Sequence, residues 1–412
     1  MLCGEIRFEL WCVEEKMEKE ELLSQAEKHI FSMGLGDSGS KLCKANMKYG
    51  LAKIHYWQES LGITPKATFI STPDMTVTRN VDRWRAGFGY GGKVSWGKGD
   101  EEVIILNTKP NTCGMLVGGL EELPGEKELL ERVETFQKKK NFIQGIRVKW
   151  DFSKGNHFIE IFSVKPMSEV EIPFYVFIIH GSAGELKKDS PFGWGLYYDK
   201  SSSLRKEASQ VNTPFGPLYI LEGKKARRYF ELYQFADMFS KKRRELAARE
   251  LFGDYELISN ETHQGLLNYN EILLGCHYIE GDDKLYPLTL RADLPAYLLK
   301  GCKNLRPESI ENLGFGKRAR KLGVYQRLRQ ANLIPHGGGY TFPQLLNVEK
   351  VYEIGSKRYF RADAANDRGK QIIFDIRDIP FIYRGREVAL KLLELGLGEI
   401  AAKLIPLYGF KV

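Results

Sequence analysis

Gly155-Asn156-His157-Phe158-Ile159-Glu160-Ile161 is the stretch on which the fold reading turns. A glycine turn delivers a histidine to the start of an apolar run, Phe158 to Val164, which reads as a strand. A second run, Phe174 to Ile179, reads as another strand and ends at His180-Gly181-Ser182. Glycine beside an imidazole at a strand end opens backbone conformations closed to other residues, and loops fixed at strand ends are where sites form. Two further histidines share the setting, His263-Gln264-Gly265 and His336-Gly337-Gly338-Gly339. Cys113-Gly114 ends a comparable segment, reached from a short strand Val103 to Leu106 through a turn at Pro110-Asn111-Thr112. A thiolate and several neutral imidazoles are the ligand types that suit zinc, manganese or iron. Successive members lie 44, 23, 83 and 73 residues apart, so no local metal motif exists and only the fold can assemble them. The alternatives are a buried apolar thiol at Cys113 and plain turn residues at the histidines.

Working outward, the chain has 412 residues, 43% of them hydrophobic and 12% aromatic, which excludes a disordered or fibrous protein. Lys and Arg number 61 against 53 Asp and Glu, a net charge of +8 that is compatible with a polyanionic partner. Cys3, Cys12, Cys43, Cys113, Cys276 and Cys302 include no Cys-x-x-Cys pair and read as reduced thiols. Residues 1–9 carry charge early and show no signal-peptide core, and the longest apolar run, Ile172 to Ile179, is too short to span a bilayer. A cytoplasmic chain with no membrane association is expected.

Helical periodicity is expected over residues 14–33, 125–140, 222–252 and 386–404. In the third, Tyr229, Phe230, Tyr233, Ala236 and Phe239 form an apolar stripe, while Lys224, Lys225, Arg227, Arg228, Lys241, Lys242, Arg243 and Arg244 occupy the other face. That face reads either as an RNA groove or as a solvated surface. Trp84, Phe88, Tyr90 and Trp96 read as base-stacking residues or as a lid or core corner. Cys276-His277 reads as strand packing, and His29 and His55 as ordinary residues on helical patterns. With no repeat and no linker, the strands and helices together point to the α+β class, a single large mixed α/β domain over 1–412.

At this point the chain resembles the RtcB-type RNA ligases. The segment Gly155 to Ile161 is similar to the G-N-H-F-[IL]-E-[IV] motif of that family. In the same order, Pro73-Asp74 resembles M-P-D-G-H, Gly89-Tyr90-Gly91-Gly92 resembles G-Y-G-x-P-I-G-G, and Cys113-Gly114-Met115 resembles D-x-x-C-G-[MV]. His180-Gly181-Ser182 resembles H-[ST]-G-S-R-G, Ala226 to Phe230 the start of a long central helix, and His263-Gln264 an H-N pair. His336-Gly337-Gly338-Gly339 is similar to H-G-A-G-R, and Pro406 to Lys411 to a C-terminal P-I-G-V-A-K. The resemblance covers residues 65–412 and leaves 1–64 as a divergent N-terminal part.

The resemblance implies an RtcB-like domain with a central metal-containing cleft. It implies metal ligands Cys113, His157, His180 and His263, usually for manganese, and catalytic parts for His336, Asp74 and Asn156. Nucleotide contacts would come from Asn156, His336, Tyr383 and Lys411, with Glu160 a further acidic group near the metal. The implied activity is GTP-dependent joining of RNA ends, such as tRNA halves or broken RNA, through a guanylated histidine, with an activating protein as a further partner. Departures from the pattern are as clear. The aspartate three residues before the cysteine is Pro110, which leaves one tight metal where the family holds two. Arginines are replaced by Ala183 and Tyr340, the R-K-G-A-T-R segment survives only as Arg291-Ala292-Asp293, and no serine-rich guanine loop precedes His336. A one-metal phosphoester hydrolase and a non-catalytic RNA-binding relative stand as the rival readings.

Overall fold

The computed structural model describes residues 18–152, 155–281, 283–303, 305–365 and 369–410. Eleven strands, numbered in chain order, form one sheet: β1 Ile30–Phe31, β2 Thr68–Thr76, β3 Tyr90–Ser95, β4 Cys113–Leu120, β5 Phe158–Pro166, β6 Tyr175–Gly181, β7 Glu256–Asn268, β8 Glu271–Leu274, β9 Leu285–Leu288, β10 Ala296–Gly301 and β11 Gly398–Phe410. Their spatial order is β1-β2-β3-β8-β7-β4-β6-β5-β11-β10-β9. The β1–β2 pair is parallel, and the other neighbours run antiparallel. Helices flank the sheet, so the architecture is mixed α+β as the sequence led us to expect.

Period-2 alternation sorts the central strands between two cores. In β6, Val176 and Ile178 pack with Met115, Val117 and Phe162 on one face. Phe177 and Ile179 pack with Leu116, Ile159 and Ile161 on the other. The long helix Lys224–Phe252 covers that second face through Tyr229, Tyr233, Ala236, Phe239, Ala247, Ala248 and Leu251. Its Phe252 ring stacks on Phe177 with centroids 3.9 Å apart. Helix Ser38–Ser60 covers the β2 end and is capped by the Asp37 side chain, which accepts from the Ser40 amide at 3.0 Å.

Several expectations need correction. The helix expected over 14–33 ends at residue 28, and Ile30–Phe31 leaves it as an edge strand; residues 14–17 lie outside the described residues. The helix expected over 386–404 is confined to Glu387–Glu394, because Gly396 turns the chain out at φ +62° and the remainder becomes β11. Cys113 opens a strand where a turn was expected. Its glycines made β4 hard to read, yet they belong there: a Cβ on Gly118 would sit 2.2 Å from the Phe177 ring. Trp84, Phe88 and Trp96 are buried and cannot offer a face to a base. Among the described residues no helix is long and apolar enough to cross a membrane.

His29 and His55 are buried and meet edge to face with ring centroids 4.7 Å apart. Burial, then the charges of His55, Arg327 and Arg318, lowers His29 to about 3; burial lowers His55 to about 4 against the opposing hydrogen bond to the Ala67 carbonyl. Both pKa values lie below the ordinary histidine value near 6.5, so between the two limits the unfolded chain binds protons that the folded chain refuses. Stability is therefore expected to fall as pH drops from about 6.5 toward 4, by up to about 1.4 kcal/mol per pH unit per histidine. Urea unfolding at pH 7 and pH 5 should show a smaller loss in His29→Gln than in the parent. Equal losses would remove these histidines from the account.

A candidate metal centre at the strand ends

Four adjacent strands, β7, β4, β6 and β5, bring the thiol and three imidazoles to one end of the sheet. Cys113 opens β4, His180 lies next to last in β6, and His157 directly precedes β5, where Phe158 pairs with His180. His263 gets there by a different device. In the β7–β4 ladder Thr262 pairs with Gly114 and Gln264 with Cys113, so His263 is the extra residue of a bulge. A bulge re-aims a side chain that regular alternation would place elsewhere. No period-2 pattern could have revealed this.

The resulting geometry is close. Cys113 Sγ lies 3.1 Å from His180 Nε2 and 3.8 Å from His157 Nε2, and His180 Nε2 lies 3.3 Å from His263 Nε2. Ligand atoms of Cys113, His180 and His263 all fall within 4.8 Å of one another, so these three can hold a metal ion. His157 stands beside this group, with Nδ1 3.2 Å from the Asp151 carbonyl and 3.6 Å from its carboxylate. The donor set fits a cation: tetrahedral bonds of about 2.0–2.3 Å give ligand–ligand edges of roughly 3.3–3.6 Å. His180 Nδ1 donates to the Asn156 carbonyl at 2.8 Å, which fixes the ring with Nε2 aimed at the centre.

Electrostatics favour the same assignment. Burial raises the Cys113 thiol, but the His180 imidazole and hydrogen bonds from His157, His180 and His263 outweigh it and hold the thiol well below its ordinary value. Burial, then the His336 imidazole, holds His263 well below the ordinary value, in the neutral form that ligates. At His157 burial is outweighed by Asp151 and the Cys113 sulfur, which raise it to about 9.

Beneath the site lie two groups expected on a helix face that either lines an RNA groove or is solvated. Arg243 and Arg244 are fully buried. Arg243 donates to the carbonyls of Ser182 (3.1 Å) and Lys149 (2.6 Å), to Glu185 (3.2 Å), and to the Asp151 carboxylate. Arg244 donates to the Gly181 carbonyl at 3.0 Å and to Asn260 at 2.8 Å. Close packing explains the glycines after Cys113 and His180. A Cβ on Gly114 would meet the Glu261 carbonyl at 2.5 Å and Arg244 Nη2 at 2.8 Å, and one on Gly181 would meet the Phe152 ring at 2.9 Å and Arg243 Nη1 at 3.2 Å. The remaining basic residues of the helix are partly paired, Lys225 with Glu207, Arg227 with Glu102, and Lys241 with Asp237 and Glu261.

His336 adjoins the group from outside, its ring centroid 4.4 Å from that of His263. Its Nδ1 is 2.9 Å from Asp74 Oδ2, while Asp74 Oδ1 accepts from the Thr72 hydroxyl at 2.6 Å. The three glycines that follow serve packing and do not present a row of open amides. The Gly338 amide donates to the Thr289 carbonyl at 3.1 Å, and the Gly337 amide lies 3.4 Å from Asp74 Oδ2. A Cβ on Gly338 would sit 2.5 Å from the Arg384 carbonyl.

Cys113 and His157 open onto a cleft of 660 Å³ that Asn156, Ser182, Tyr90, Tyr340, Phe381 and Tyr383 also line. Five cations, Arg79, Arg83, Lys187, Lys200 and Arg377, border it, and no carboxylate does among the described residues. Of the departures noted in sequence, Tyr340 is in this wall, and Ala183 is buried with its amide on the Thr112 hydroxyl at 3.2 Å. Asn156 reaches the site through its carbonyl, and Glu160 lies in β5. Lys411 lies outside the described residues. No protein-family model matches the chain, and no curated protein matches it.

Proposed function

We propose that the chain is a divergent metal-dependent RNA ligase of RtcB type, joining an RNA 3′-phosphate or 2′,3′-cyclic phosphate to a 5′-hydroxyl through a guanylate on His336. The observation that carries this reading is the cleft itself: a thiolate–imidazole group faces five lining cations, of which Arg377 is paired with Asp375, and among the described residues no carboxylate lines the cleft. Such a lining is matched to phosphates and mismatched to cationic or apolar substrates. A divalent cation, manganese by resemblance, would be held by Cys113, His180 and His263 with His157 adjacent, and would neutralise charge on a phosphoryl group.

His336 suits the nucleophile because it lies outside the tight ligand group and its Nδ1 proton faces Asp74. That hydrogen bond leaves Nε2 with a lone pair for attack. In the proposed sequence Nε2 bonds to the α-phosphorus of GTP as pyrophosphate leaves. A 2′,3′-cyclic phosphate is first opened by water to the 3′-phosphate with a free 2′-hydroxyl; the guanylate then passes to an oxygen of that 3′-phosphate, and a 5′-hydroxyl displaces GMP as the strand is sealed. Tyr340, Phe381 and Tyr383 offer ring faces to a base, with the Arg79 guanidinium 4.4 Å over Phe381.

Incubation with GTP labelled at the α-phosphate and with manganese tests this. The parent should trap label in an acid-labile bond, and His336→Ala should trap none while keeping its metal content. An unlabelled parent that instead releases phosphate from phosphoesters would establish the one-metal hydrolase in place of the ligase. Label persisting in His336→Ala would remove His336 from the role.

A further inference from the structure

Within the cleft, two lysines are held together where their charges repel. The loop from Leu186 to Ser201 folds on itself: the Leu196 amide donates to the Leu186 carbonyl at 2.8 Å, Tyr197 to Lys187 at 3.2 Å, and Lys200 to Tyr197 at 2.9 Å. The Tyr229 hydroxyl pins it from the long helix, donating to the Leu196 carbonyl at 2.7 Å. Gly195 permits the fold, since a Cβ there would lie 2.0 Å from the Lys188 carbonyl. The buried ring of Tyr197 is the hub, with Lys187 Nζ at 5.8 Å and Lys200 Nζ at 5.7 Å from its centroid.

A third lysine touches the same ring and behaves differently. Lys109 Nζ lies 4.7 Å from the Tyr197 centroid and is neutralised by Asp82 at 2.8 Å and Asp199 at 2.9 Å. Lys187 and Lys200 have no carboxylate within ion-pair reach among the described residues, and both line the cleft beside Cys113, His157 and Ser182. Lys200 repels the Lys187 ammonium, the Cys113 sulfur and Asp151 oppose that repulsion without forming an ion pair with it, and an anion between the two ammonium groups would relieve it further. The Tyr197 ring, which lines the cleft with them, holds both ammonium groups within cation–π reach.

We infer that Lys187 and Lys200, seated on Tyr197, form an anion subsite for the dianionic terminal phosphate of a phosphomonoester, facing the metal centre across the cleft. This rests on the reading of the cleft as a phosphoryl-transfer site. It adds residues that take up phosphate where Ala183 and Tyr340 bring no cation. A dianion gains from two ammonium groups at once, whereas a cyclic phosphodiester carries a single charge. The subsite therefore favours an open 3′-phosphate over its cyclic form.

The test is titration of the parent and of a Lys187→Gln/Lys200→Gln double variant with inorganic phosphate, with a 3′-phosphorylated oligonucleotide, with its 2′,3′-cyclic form, and with GTP. No adduct is needed for the phosphate arm, so its outcome is separate from that of the His336 labelling. Phosphate affinity should fall about tenfold or more in the double variant, with metal content unchanged, and the Lys187→Arg/Lys200→Arg variant should retain it. A parallel loss for the 3′-phosphorylated oligonucleotide, with the cyclic form less affected, places the terminal RNA phosphate in the subsite. A loss confined to GTP overturns that assignment. Unchanged phosphate affinity in a folded double variant overturns the subsite altogether.

Discussion

Arg243→Leu is expected to destabilise the protein by about 3–5 kcal/mol and to weaken metal binding by roughly 10–100-fold. The guanidinium is fully buried and bonds four separate groups, with its plane 4.4 Å over the Phe152 ring. Leucine fills part of the volume but strands the Asp151 and Glu185 carboxylates, and Glu185 is itself nearly buried. Burial raises the Asp151 carboxyl, yet the His157 contact and Arg243 together hold it at about 2, so losing the arginine releases its pKa upward. The metal effect follows because Asp151 orients His157 and the Ser182 carbonyl belongs to the loop after His180. Arg243→Lys keeps the charge but cannot span the four acceptors, and should recover only part of either loss. Urea unfolding and metal titration read the two effects separately. Full stability with full metal affinity in Arg243→Leu would show the network to be idle.

Arg384→Met should cost a comparable amount, about 3–5 kcal/mol, and should also slow any reaction at His336. Arg384 is buried and binds Asp37 with two nitrogens, at 2.7 and 2.8 Å. It further donates to the carbonyls of Met75 (2.9 Å), Asp74 (3.2 Å) and Gly338 (3.2 Å). One side chain thus joins the cap of helix Ser38–Ser60, the strand that carries Asp74, and the glycine loop after His336. Its loss leaves the Asp37 carboxylate, which Arg384 holds below the ordinary range against the pull of burial, without its counter-charge. A fall in nucleotide labelling with metal content unchanged is the signature expected. Labelling at the parental rate in a destabilised Arg384→Met would separate the loop from the chemistry.

The parts of this site that were legible in sequence are those whose signal is local. The strands Phe158–Pro166 and Tyr175–Gly181 announced themselves by apolar runs ending at glycine and histidine, and they bring His157 and His180 together. Elsewhere a tertiary constraint overrode a local one. The segment after Gly396 has helical composition but sits between β5 and β10, where pairing on both edges decides its conformation. Gly118 and Gly119 lowered the strand signal of β4 because the packing of Phe177 and Pro173 requires their missing side chains. Arg243 and Arg244 looked like RNA-facing or solvated charge, and only the positions of Asp151, Glu185 and Asn260 show that the helix turns them inward. The His263 bulge and the Lys187–Lys200 pair depend on register and loop closure, which no spacing in the chain encodes.

The central claim is that Cys113, His180 and His263 bind a metal ion through the cysteine sulfur. Cobalt(II) titration followed by absorption spectroscopy tests it most directly, because a thiolate ligand gives a charge-transfer band that nitrogen and oxygen ligands do not. The account predicts a thiolate-to-cobalt band in the parent, saturating at about one ion per chain, absent in Cys113→Ser and weakened in His180→Ala. A parent without that band, or a Cys113→Ser variant that keeps it, would contradict the metal centre and the chemistry built on it.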